Sequence, residues 1–210
     1  MIENESEIET LLDNARRGDQ AALAELFSKY QPLLRRMVEF RLDRRLNGRV
    51  AASDILQEAY LSAADRIEHY FKKTGTSFYV WLRLIVNQSL VDVHRRHLGA
   101  KKRAADLEVS LDPNPISHAD SLCLARELVA RLDSPSATVR QAEVLQQVEA
   151  ALEALEPLDR EILTLRHFEE LSNNEVAEIL GLQKAAASNR YVRALQRLRE
   201  SLGAIPGFFD

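Results

Sequence analysis

LSNNEVAEILGLQKAAASNRYVRALQRLR, residues 171–199, is the stretch from which the fold is read. Ser172 and Glu175 have the spacing of a capping box, in which each side chain satisfies the other residue's backbone N–H. Leu171 before the cap and Val176 within the helix are placed as a hydrophobic staple. Val176, Ile179 and Leu180 give the short helix one apolar face, and Gly181 ends it where a left-handed backbone is wanted. A second helix follows, with Ala186, Tyr191, Ala194, Leu195 and Leu198 at helical spacing. Its other faces carry Lys184, Arg190, Arg193, Arg197 and Arg199, with no acid before Glu200. Two helices joined at a Gly turn, the second basic, read as a helix-turn-helix. An ordinary helical hairpin with a solvated basic face is the plainer alternative. The run Gln183 to Asn189 favours the former, because small side chains let a helix backbone sit deep in a major groove while Arg and Lys hold phosphates.

Working outward, 210 residues suffice for one large or two small domains. The 46% hydrophobic content can build a core, whereas 7 Gly and 6 Pro are few for a sandwich. Long Ala/Leu/Glu/Arg-rich periodic stretches predict an all-α protein. No apolar run is long enough to span a bilayer, and the acidic start does not read as a signal peptide. The single cysteine, Cys123, leaves no partner for an intrachain disulfide and suits a reducing cytoplasm. It lies in an apolar helical stretch and reads as a buried structural thiol.

Net charge is −4, unexpected for a protein that binds DNA alone, since such binding draws on basic surface and counterion release. The charge is segregated. Glu3, Glu5, Glu7, Glu9 and Asp13 crowd the start, and basic residues cluster at 35–49, 94–103 and 184–199. Such a chain is expected to reach DNA in the company of a larger partner.

In the first half, Leu23 to Phe40 is amphipathic, with Pro32 expected to bend or divide the helix. Arg35, Arg36, Arg41, Arg44 and Arg45 crowd its polar side as a solvated face or a nucleic-acid footprint. A helix over 53–69 has Ser53 as its cap and Asp54 at its positive end. Ile55, Ala59, Leu61 or Ser62, and Ile67 can face inward, and the outward residues, Asp54, Gln57, Glu58 and Asp65, either solubilise the helix or meet a basic partner. The polar segment 72–77 includes Lys72 and Lys73. The helix after it, 78–97, is expected to bury Phe78, Trp81, Leu82, Ile85 and Val93. Tyr79, Arg83, Asn87 and His94 form a polar stripe, a combination that suits single-stranded nucleic acid. His94 and His97 lack further ligands, so no metal site is expected. Residues 98–140, with Pro113, Pro115 and Pro135, read as a linker enclosing a short helix over 121–132.

These halves together resemble bacterial sigma factors of the extracytoplasmic-function (ECF) group, over residues 20–98 and 140–202. Asp54-Ile55-Leu56-Gln57-Glu58 with Ala59-Tyr60-Leu61 is similar to the family's polymerase-docking region. Phe78, Trp81, Leu82 and Ile85, then Asp92, Arg95 and Arg96, resemble its promoter-melting helix. Leu155, Pro157, Arg160, Glu161, Leu165 and Arg166 lead into the helix-turn-helix as in its fourth domain. The resemblance implies sigma domain two over 1–98, a linker over 99–139 and sigma domain four over 140–210.

It also implies site residues and partners. Asp54, Gln57, Glu58 and Leu61 would bind core RNA polymerase, whose clamp helices and flap receive the factor. Lys72, Lys73, Arg83, Asn87, Arg95 and Arg96 would hold the melted minus-ten strand. Lys184, Ala187, Ser188, Arg190, Arg193 and Arg197 would read the minus-thirty-five duplex. No catalytic residue, cofactor or metal is implied, and a cytoplasmic protein without membrane partners is expected. An anti-sigma protein or a Ser/Thr kinase is the class of regulator implied. The sequence departs from the family where Ala51, Ala52 and Ser53 replace acids, which makes Ser53 a candidate phosphorylation site. Gln88 stands where Asn is usual, and Gln183 to Asn189 differ from the family's recognition-helix opening, so base preference does not carry over. A stand-alone helix-turn-helix regulator and a polymerase-binding adaptor are the alternatives; with no phosphate loop or nucleophile–base arrangement, an enzyme is not expected.

Overall fold

A computed structural model describes residues 2–72, 75–98, 121–130 and 138–205. All regular structure among them is helical, and the chain divides into two compact units, 1–117 and 118–210. Lys73, the stretches 99–120 and 131–137, and the last residues of the tail lie outside the described set.

The first unit packs α1 (Ile2–Arg16), α2 (Gln20–Arg41), α3 (Ala52–Lys72) and α4 (Phe78–Leu98). Asp19 caps α2 by accepting from the N–H groups of Ala21 and Ala22 at 2.9 and 3.3 Å. Pro32 does not divide α2: the helix runs through it, with the proline exposed. The missing N–H there costs one helical bond, which the buried face of Leu26, Phe27, Leu34, Met37 and Val38 outweighs. The helix stops at Arg41, and a 3-10 turn, Arg44–Leu46, follows.

Helix α4 is the centre of this unit. Phe78, Tyr79, Val80, Leu82, Arg83, Ile85, Val86, Asn87, Ser89, Leu90 and Val93 are all buried. Burial runs round most of the helix and leaves one less enclosed side, Trp81, Leu84, Gln88, Asp92 and Arg95. Here α2 and α3 pack against it.

In the second unit, α5 (Ser121–Ala130) packs on α6 (Thr138–Glu153), followed by α7 (Pro157–Leu163). A π-helical turn, Thr164–Phe168, leads to α8 (Asn173–Ile179) and α9 (Lys184–Gly203). The helix expected inside the linker is thus part of this unit: Leu124, Ala125 and Val129 are buried, and Arg160 Nη1 donates to Ser121 Oγ at 3.0 Å. Ser134-Pro135-Ser136, the basis of the sequence boundary, falls between two helices of one unit. Cys123 on α5 is half-buried rather than enclosed.

Candidate nucleic-acid interface

Helix α3 presents the first candidate surface. Ile55, Leu56, Ala59 and Ala63 are buried, so Asp54, Gln57, Glu58 and Leu61 share the outward face, all exposed. Leu61 is 60% exposed, the largest value among the big apolar side chains described. Ser53 is not the cap. Ala51 precedes the first helical residue, and Asp54 Oδ2 reaches back to accept its N–H at 3.4 Å, half of a capping box. Ser53 is therefore an exposed residue in the first turn.

The residues expected to hold a single strand separate into two groups. Arg83 and Asn87 are 1% and 3% exposed, so the polar stripe of α4 faces inward and cannot meet DNA in this arrangement. Lys72, Arg95 and Arg96 are exposed. Lys72 lies 3.7 Å from Glu68, and Arg95 pairs with Asp92 at 2.9 Å. Arg96 Nη2 donates to both oxygens of Glu58 at 3.0 and 2.8 Å, joining α4 to the outward face of α3.

Beside the segment after α3 sits an aromatic cluster that periodicity did not reveal. Tyr70 is 5.0 Å from Trp81 and 5.4 Å from Phe78, centroid to centroid, and Phe78 is 5.4 Å from Trp81. Trp81 is half-buried, not enclosed in the core as expected. Ser77 Oγ accepts from the Val80 N–H at 3.2 Å and caps α4.

His94 does not act with His97. Its Nε2 accepts from the Asp43 N–H at 3.1 Å and ties the 3-10 turn to α4. No group of three or more His, Cys, Asp or Glu is gathered among the described residues. The Arg45 guanidinium, hydrogen-bonded to both Asp43 oxygens, holds that carboxyl well below the usual carboxylate range. A depressed folded pKa stabilises above the unfolded value, about 3.9, and the benefit fades as pH falls through the folded one. Asp43→Asn should therefore lower stability by a constant amount from neutral pH down to about pH 4, with the difference from the parent shrinking on further acidification. Urea melts at a series of pH values measure it.

The helix-turn-helix forms as its sequence suggests. Ser172 N–H donates to Glu175 Oε2 at 2.8 Å, and the Glu175 N–H donates to Ser172 Oγ at 3.3 Å. Leu171 and Val176 are both buried. Gly181 takes φ 63°, Leu182 N–H reaches Ala177 O at 2.8 Å, and Gly181 N–H reaches Glu178 O at 3.3 Å: a Schellman ending. Asn173 Nδ2 donates to Lys184 O at 3.0 Å, fastening the start of α8 to the start of α9. Ser172→Ala removes the cap and should cost about 1 kcal/mol, read as a lowered melting temperature of the second unit.

Helix α9 buries Ala187, Ala194, Leu198 and Leu202, so Ala187 faces the core and not a groove. Ala186 and Leu195, expected on the apolar face, are exposed. Lys184, Ala185, Ser188, Asn189, Val192 and Arg193 are exposed, Val192 at 57%. Lys184 and Arg193 make no ion pair among the described residues. Arg190 and Arg197 turn back to α7. Arg190 Nη1 donates to Asp159 Oδ1 at 3.1 Å and Arg197 Nη1 to Asp159 Oδ2 at 2.7 Å, with Glu156 at 3.6 and 3.9 Å. Both acids lie more than thirty residues upstream, outside any helical spacing rule. Tyr191 is within 2.9 Å of His167 Nε2 and lies under the Arg166 guanidinium.

Comparison with known proteins agrees with this architecture. A family model described as ECF sigma factor matches residues 5–203. The RNA polymerase sigma-H factor of Pseudomonas aeruginosa is 26% identical over 195 residues, covering 91% of this chain and 92% of its own. RNA polymerase sigma factor CarQ of Myxococcus xanthus is 29% identical over 196 residues, covering 92% and 97%. Among solved structures, CnrH in complex with the cytosolic domain of CnrY has the same fold, with TM-score 0.55, 21% identity and coverage of 94% and 98%. No helix among the described residues is long and apolar enough to cross a membrane. With a family match running across nearly the whole chain, the protein belongs to the ECF sigma factors.

Proposed function

We propose that this sigma factor docks on core RNA polymerase through the outward face of α3, reads the upstream promoter element as duplex with α9, and captures the melted minus-ten strand beside α4. The observation that carries the reading is the exposed face of α9, with small side chains at its start and two cations, Lys184 and Arg193, that make no ion pair among the described residues. Ser188 and Asn189 can hydrogen-bond base edges, Ala185 and Val192 offer apolar contact to thymine methyl groups, and Lys184 and Arg193 can hold flanking phosphates. Trp81 and Tyr70, half-buried, offer an edge on which an unstacked base can rest, with Lys72, Arg95 and Arg96 as cations for its phosphates. Arg83 and Asn87 support this surface from inside.

Melting in this scheme is driven by binding energy, so no reacting side chain is invoked. Residues 99–120, which lie outside the described set, are read as the connection between the parts that meet the two promoter elements. Ser53, exposed in the first turn of α3, is proposed as the phosphorylation site: added negative charge at the positive helix end would strengthen docking on a basic partner. Tighter core binding by Ser53→Asp than by Ser53→Ala is the expected result, and equal binding removes the switch.

Run-off transcription from a genomic promoter library, with core polymerase and with or without the protein, tests the whole reading. Promoter-specific transcripts that need the protein are expected. Core binding without transcripts would leave a polymerase-binding adaptor. Tight DNA binding with no affinity for core would instead leave a stand-alone regulator.

A further inference from the structure

Two of the five basic residues on α9 are held by one buried carboxylate. The Asp159 side chain is 3% exposed, and each of its oxygens receives a different arginine. Arg190 and Arg197 are seven residues apart, about 10 Å along the helix, and converge on it from either side. Glu156, at the start of the same helix α7, lies within 4 Å of both guanidinium groups. Burying a carboxylate is costly unless it is paired and hydrogen-bonded, and here both conditions are met by side chains from the recognition helix alone. Attachment at two points two turns apart fixes both the rotation and the axial position of α9 against α7.

We propose that Asp159 is a positioning residue for promoter recognition: with Glu156 it holds Arg190 and Arg197 off the DNA phosphates and fixes which face of α9 enters the groove. This rests on the reading of α9 as the duplex-binding helix. Arginines on phosphates add affinity without sequence information, whereas side chains on base edges discriminate. Withdrawing two cations while holding Ser188, Asn189 and Val192 outward shifts the balance from affinity toward discrimination. It also makes the free protein a weak DNA binder, in keeping with a net charge of −4.

The test uses holoenzyme and two duplexes, one carrying the upstream element enriched by run-off selection and one scrambled, with affinity measured against salt. Asp159→Asn keeps the shape of the side chain and removes its charge. Released arginines should steepen the salt dependence by about 0.9 for one and about 1.8 for both. The ratio of promoter to scrambled affinity should fall about tenfold, the size of a single mismatched base pair. Adding Arg197→Gln to Asp159→Asn should take back about 0.9 of the steepening, which a merely structural role for Asp159 would not do.

An unchanged salt slope in folded Asp159→Asn overturns the proposal. Should circular dichroism show that variant unfolded, Glu156→Gln decides instead, because Glu156 is exposed: a steeper slope supports the clamp and an unchanged one refutes it. Arg193→Gln separates this idea from the one beneath it. If that variant leaves the parent slope intact and the parent does not distinguish the two duplexes, the duplex-binding role of α9 is what has failed.

Discussion

Core RNA polymerase is expected to bind the Leu61→Arg variant about thirtyfold more weakly than the parent, the loss associated with an interface hot spot of ~2 kcal/mol. Leu61 is 60% exposed on a helix whose opposite face supplies core residues, so it contributes nothing visible to folding. It sits one turn beyond Gln57 and Glu58 and two beyond Asp54, all exposed. An apolar side chain framed by acids is the arrangement of an interface centre with a polar rim, and it matches a partner that is apolar at one point and basic around it. Arginine there removes the apolar contact and sets a like charge against the basic groups. The folded chain should be indifferent, with stability changed by no more than about 0.5 kcal/mol. Fluorescence anisotropy with labelled protein gives the affinity, and a thermal melt gives the control. Parent-like affinity would remove α3 as the docking face.

What the sequence made legible was local. Ser172 and Glu175 are three residues apart, Gly181 ends α8 within the same turn, and these groups meet each other in the structure as their spacing implies. Most of the outward face of α3 was equally accessible, because period 3.6 places Asp54, Gln57 and Glu58 together, whereas the same periodicity allowed Leu61 an inward position and the structure exposes it. Even there the cap was misplaced by two residues. Ser53 is the better capping side chain, but Asp54 reaches back to Ala51 and sets the start of the helix. Errors of substance came from long-range partners. Arg190 and Arg197 lie among basic residues on their own helix, and nothing in that helix reveals that Asp159 and Glu156 lie against them. Ala187 looks like a groove residue because it is small, yet it is small because α9 packs closely there.

The arginines also explain why charge counting misleads. Arg95, Arg96, Arg190 and Arg197 each pair with an acid of the same unit, while Lys184, Arg193 and Arg199 have no ion pair among the described residues. A cationic segment read from sequence overstates the charge left for phosphates. The Glu58–Arg96 pair joins a residue proposed to meet polymerase with one proposed to meet DNA, so substitution of either is expected to alter both activities. Single substitutions at that pair are therefore poor evidence for assigning either role, and Leu61 and Arg193 are the cleaner probes.

Arg83→Ala should destabilise the first unit by about 3–5 kcal/mol, the cost of breaking a compensated buried charge. Arg83 is 1% exposed, among the largest fully enclosed side chains, on the buried side of α4. Arg83 is not without a partner, so truncation leaves both a cavity and a lost interaction inside the unit. For a unit of this size each kcal/mol lowers the melting temperature by roughly 4–8 °C, so a fall of at least about 12 °C is expected. Arg95→Ala is the matched contrast. Arg95 is exposed at the end of the same helix, and its loss should leave the melt nearly unchanged while lowering the salt dependence of single-strand binding by about 0.7. The pair of variants separates the two ways an arginine on α4 can serve promoter melting, by building the helix that carries the strand or by touching the strand itself. An Arg83→Ala protein that melts like the parent but binds the strand with a shallower salt slope would return Arg83 to the DNA surface and put the packing of α4 in error.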